Sequence, residues 1–135
     1  MIALRVLLYM LAILPQRDER DVAFRFYLAE AIVESTSDVT EQNTLAKIAR
    51  WESGYRRDIA ACRVNGDHGG AFGSFQVHPR SPQERARICN SLADSARAAL
   101  IRIRESIAAC GDLTGFVSGK CGVAVADAKK RWGGE

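Results

Sequence analysis

The residues of this chain that could do chemistry crowd into W-E-S-G-Y at residues 51 to 55 and G-A-F-G-S-F-Q-V-H-P at residues 70 to 79. Between them lies a glycine-rich run holding Asp67 and His68. Glu52 shares a helical face with Leu45, Ile48 and Ala49, the spacing that points side chains into a core. Burial raises a carboxyl pKa, and the negative end of a helix dipole pushes the same way. A carboxylic acid kept protonated near neutral pH is what a general acid for a glycosidic oxygen requires. The plainer alternative turns Glu52 to solvent or pairs it with Arg50, Arg56 or Arg57.

Glycine lets a backbone approach a bulky ligand and adopt positive φ. Gln76, between Phe75 and Val77, reads as a polar group pointing into a cleft, or equally as a strand glutamine facing water. Asp67 is the one acidic residue of the glycine loop; it could face that cleft or cap its own turn. The glycines lack the spacings that cradle phosphate. His68 and His78 lack zinc-finger spacing, and none of Cys62, Cys89, Cys110 and Cys121 sits in a CxxC pair, so no metal site is expected. The cysteines are either buried thiols or disulfides, with Cys62 to Cys89 and Cys110 to Cys121 as the preferred connectivity.

The elements that must position these groups read as mostly helical. Residues 21 to 34 carry Val22, Phe26, Ala29 and Val33 at helical spacing, with Arg25 and Glu30 off that stripe. Asp38 and Glu41 form a capping-box signature for a helix that Gly54 stops. Residues 65 to 73 read as turns, and residues 71 to 77 as a short strand or irregular hairpin. Ser81, Pro82 and Glu84 open a further helix. Ser91 and Asp94 open another, with Leu92, Ala96, Ala99, Ile103, Ile107 and Cys110 as its core stripe. Short helices are expected around residues 113 to 117 and 123 to 132. Residues 1 to 20 stand apart, because residues 2 to 14 are nearly all apolar behind Arg5. That segment is too short to span a bilayer. It reads as signal-like, without a small-x-small site before Pro15 and Gln16, or as a first helix ended by Pro15. Residues 21 to 135 form one domain, with only the Gly133-Gly134-Glu135 tail expected to lack structure.

The two motifs, in this order and at this distance, resemble the soluble lytic transglycosylase and goose-type lysozyme superfamily. Its pattern is a helix ending in E-S-x-[FY], followed by G-x-x-G-x-x-Q-[IV]. The match covers residues 40 to 79. It implies a mainly α, lysozyme-like α+β domain with a small glycine-rich β-hairpin beside a cleft. It also implies cleavage of the β-1,4 bond between N-acetylmuramic acid and N-acetylglucosamine in peptidoglycan glycan strands, with no cofactor. Carried across, Glu52 matches the catalytic acid and Ser53 the hydroxyl beside it. Gly73, Ser74 and Gln76 match cleft-lining positions, Phe75 an apolar wall, and Tyr55 the aromatic behind the glutamate helix.

The chain departs from the family at a third motif. A Tyr-Asn pair is usual there, and this sequence has Phe116 and Val117, so a hydroxyl would have to come from another residue such as Tyr27 or Tyr55. A hydrolase needs a second carboxylate about 5 to 9.5 Å from the acid. Asp67 is the first candidate for it and Asp58 the second. A lytic transglycosylase needs none, since the muramyl C6 hydroxyl attacks its own C1, and that reading is preferred. The other readings are a non-catalytic glycan-binding or structural module of a secretion or phage apparatus, and a cytosolic helical interaction protein. A net charge of only +3 over 135 residues argues against a dedicated nucleic-acid binder. The chain is expected to act as a monomer in the periplasm, outside the cell or on a virion, with no stable membrane span.

Overall fold

A computed structural model describes residues 2 to 15 and 18 to 132. Gln16 and the tail at residues 133 to 135 lie outside the described residues. The fold is mainly helical. Its α-helices are α1 (Ile2–Ile13), α2 (Glu19–Ser35), α3 (Val39–Ser53), α4 (Arg57–Ala60), α5 (Pro82–Asn90), α6 (Leu92–Cys110), α7 (Thr114–Ser118) and α8 (Val125–Trp132).

Local chemistry sets most of the boundaries. Asp38 Oδ1 accepts the Glu41 N–H at 2.9 Å, and Gly54 ends α3 in the left-handed region at φ 58°. The expected capping box is half made: the Glu41 carboxylate turns to the Thr36 hydroxyl and Arg104 rather than to the Asp38 N–H. Ser81 caps α5 ahead of Pro82, and Ser91 caps α6 by accepting the Asp94 N–H. Each such cap is worth about 0.5–2 kcal/mol. Helix α4 had no signal in the sequence reading.

One apolar core runs through the molecule. Val6 and Met10 of α1, Leu28 and Ile32 of α2, Leu45 and Ile48 of α3, and Ala96 and Ala99 of α6 belong to it, all fully buried. Burial of a side chain the size of Met10 contributes about 1.5–3 kcal/mol. The apolar segment at the N-terminus is thus a packed helix in this structure. Arg5 fixes it to α3, donating to Gln42 Oε1 at 2.7 Å and Asn43 Oδ1 at 3.1 Å. No helix among the described residues is long and apolar enough to cross a membrane.

Two expectations about the core need correction. Arg25 is not outside the α2 stripe but 2% exposed. It donates to the Leu14 carbonyl, where Pro15 leaves α1 open, and its guanidinium lies 4.8 Å from the Tyr55 ring centroid. On α6, Ile107 is partly exposed and Ser106 is buried instead. The Ser106 hydroxyl is taken inward because it accepts the Phe116 N–H and donates to the Asp112 carbonyl.

The glycine-rich segment forms two isolated antiparallel bridges, Gly66 with Ala71 and Phe72 with Val77, around a 3₁₀ turn at Asp67–Gly69. Both cysteine pairs are disulfides, Cys62–Cys89 and Cys110–Cys121, the connectivity preferred from the sequence. The first ties the α4 region to α5, and the second ties the end of α6 to the chain leading into α8. Two disulfides fit maturation outside the reducing cytosol.

Candidate active site

Glu52 stands on the last turn of α3, under α8. Its side chain is 16% exposed, and Arg131 of α8 places Nη1 2.6 Å from Oε1. The N–H bonds of Arg131 are not aimed at that oxygen, so Oε1 is buried with no aligned hydrogen bond. Burial pushes the Glu52 pKa above the ordinary glutamate value; Arg131 and then His78 pull against it without cancelling it. The partner of Glu52 is therefore neither solvent nor Arg50, Arg56 or Arg57.

The neighbouring residues of the motif are inward-facing. Ser53 is buried, and its hydroxyl donates to the Ala49 carbonyl at 2.8 Å, so it is part of its own helix and not a group beside an open cleft. Tyr55 packs behind α3, donating from its hydroxyl to the Ala46 carbonyl at 2.8 Å, and burial pushes its phenol pKa up. That bond occupies the Tyr55 proton, and Tyr27 is exposed on α2. Neither supplies the hydroxyl expected in place of Phe116.

The second motif also serves packing. Phe75 is fully buried in the core rather than lining an apolar wall, and Ser74 is buried with an unpartnered Oγ. Gly73 has φ +79°, and a Cβ there would lie 2.7 Å from Ile88 Cγ2. Both the positive φ and the close approach of α5 demand glycine there. The Gln76 amide is a staple: Oε1 accepts the Gly66 N–H at 2.9 Å and Nε2 donates to the Gly73 carbonyl at 2.9 Å. A Cβ on Gly66 would meet that Oε1 at 2.3 Å. Gln76 still lines a groove, but its polar atoms are already engaged.

That groove, of about 660 Å³, runs between the glycine-rich segment, α6 and α7, with Asp67, His78, Arg80, Arg102, Glu105 and Phe116 among its walls. Asp67 and His78 pair at 2.5 Å on its exposed rim, and the His78 hydrogen bond holds the Asp67 carboxyl below the usual range. Asp58 is bound by Arg56 and lines a different cleft. Glu52 does not line the groove. Its link to it is His78, close enough to lower the Glu52 pKa.

Sequence reasoning missed Arg131, whose only signal was the Lys129-Lys130-Arg131 run at the end of the last helix. No group of three or more His, Cys, Asp or Glu side chains placed to hold a metal occurs among the described residues. Comparison with protein-family models, curated proteins and solved structures returns no match to this chain.

Proposed function

We propose that the protein is a peptidoglycan lytic transglycosylase with Glu52 as its single general acid and base. The observation that carries the reading is the state of Glu52: a carboxyl on a helix end, largely out of water, whose pKa burial raises. The protonated carboxyl gives its proton to the glycosidic oxygen as the C1–O bond breaks. The muramyl C6 hydroxyl then attacks C1 and loses its proton to the Glu52 carboxylate, leaving a 1,6-anhydro ring and the acid restored. No water enters the balance. The fold in this reading is lysozyme-like, the bridged glycine-rich segment stands for its hairpin, and the glycan strand extends from the groove past His78 to reach Glu52. The protein would act in the periplasm, outside the cell or on a virion.

Two observations favour a non-catalytic glycan-binding module instead: Phe116 brings no hydroxyl, and Arg131 occupies Glu52. Incubation with purified peptidoglycan followed by mass spectrometry of the fragments decides between them. Anhydro-muramyl ends from the wild type and none from Glu52→Gln are expected. Reducing ends would move the reading to a hydrolase using Asp67, and no fragments would leave the binding module.

A further inference from the structure

We propose that α8 is a removable cover that holds the protein's activity down, with Arg131 seated where a scissile oxygen approaching Glu52 Oε1 must sit. The inference rests on the reading of Glu52 as the general acid and adds a regulatory contact to it. A general acid delivers its proton across about 2.6–3.2 Å. Arg131 Nη1 lies 2.6 Å from Glu52 Oε1, inside that shell. A glycosidic oxygen that takes its proton from Oε1 must therefore displace Arg131.

The build of α8 suits a part that lifts. It is eight residues long, too short to hold its own helix in water, and Ala128 is its one buried residue. Besides Arg131 it meets α3 through Lys130, whose Nζ lies 5.9 Å from the Trp51 ring centroid, and it is seated on the core by Ala128 and the partly buried Trp132. Arg50 already occupies that ring at 4.7 Å. The chain into α8 turns through left-handed Gly122 and Ala124, at φ 80° and 59°. For alanine that conformation is strained, and lifting can release the strain. Just before this turn the Cys110–Cys121 disulfide holds the chain to α6. Rotation at residues 122 to 124 would therefore move α8 about a fixed α6, uncovering Ala128 and Trp132, which pack against the core. Lys129, Lys130 and Arg131 give the cover three consecutive cations, which an anionic glycan polymer can draw away from Glu52.

The test compares fragment release from purified peptidoglycan by the full chain and by Arg131→Gln, Ala128→Glu and Glu52→Gln. Circular dichroism and thermal unfolding verify that each variant folds. Arg131→Gln empties the acid's position, and Ala128→Glu unseats α8 while keeping Arg131. If the cover is closed about nine times in ten, opening it raises the rate about tenfold in both variants. An active wild type that Arg131→Gln matches or falls below would overturn the cover and leave the enzyme reading standing. No fragments from the wild type or either opened variant would overturn the enzyme reading, and the cover with it.

Discussion

Two Arg–Glu pairs in this molecule have the same separation and opposite chemistry. Arg102 with Glu84, at the corner of α5 and α6, and Arg131 with Glu52, between α8 and α3, both approach to 2.6 Å. The two side chains expose similar fractions of their surface, 18% and 16%, but Glu52 lies far deeper among protein atoms. Yet the Glu84 pKa is lowered and the Glu52 pKa is raised. Arg102 donates to both Glu84 oxygens, at 2.6 Å and 3.3 Å, and the Arg80 N–H adds a third bond at 2.8 Å. Glu84 also stands in the first turn of its helix, where the dipole favours negative charge, and Glu52 stands in the last, where it does not. Proximity of a cation is thus insufficient. Depth of burial first, then aligned donors and helix position, decide whether a carboxyl beside an arginine is an ion for structure or an acid in reserve.

The largest effect that separates the two regions is on cleavage. Glu52→Gln is expected to lower the rate of peptidoglycan cleavage by about 10²–10⁴-fold, the share a general acid supplies. Glu84→Gln should leave cleavage near the wild-type rate per folded molecule. Fragment yields at matched folded concentration check both.

The next effects are on stability. Removing Cys62–Cys89, with its sequence separation of 27, is expected to cost roughly 3.5 kcal/mol. Removing Cys110–Cys121, with a separation of 11, is expected to cost roughly 3 kcal/mol. Urea unfolding of the serine double variants measures each. Arg102→Met strips the aligned donors from Glu84 and frees the His78 and Ala98 carbonyls it also binds. About 2–3 kcal/mol of stability should be lost by the same assay.

The smallest effects are on pH dependence, and they have opposite signs. Glu84 titrates lower in the folded chain than unfolded, so its contribution is present above the ordinary glutamate pKa and is lost as acid is added through that range. Glu52 titrates higher, so the folded state binds its proton more tightly and loses stability as pH rises through the folded pKa. At neutral pH Glu84→Gln should therefore lower the melting temperature and Glu52→Gln should raise it slightly. Both differences should shrink on acidification.

What the sequence made legible was whatever short-range chemistry controls. Asp38, Ser81, Ser91 and Gly54 mark helix ends because a cap is made within a few residues of itself. The cysteine pairing also followed from chain order, since Cys110 and Cys121 flank one short turn. Inside and outside were harder to tell for the motif residues. Ser53 and Phe75 have the types and spacing of cleft residues, but only contacts with distant parts of the chain decide that they face inward. Arg25 looked like a surface cation on its own helix, and the carbonyl it satisfies belongs to another. Arg131 lies far from Glu52 in the chain and carries no local mark of its partner. The helix position of Glu52 could be read from sequence, but the ion sitting on it could not.

The most direct test of the contrast is an NMR titration of the side-chain carboxyl carbons of Glu52 and Glu84 in one sample of the full chain. Glu52 should titrate above the ordinary glutamate range and Glu84 below it. A Glu52 midpoint at or below that of Glu84 would mean that Arg131 holds Glu52 as an ion, and would contradict its assignment as the acid.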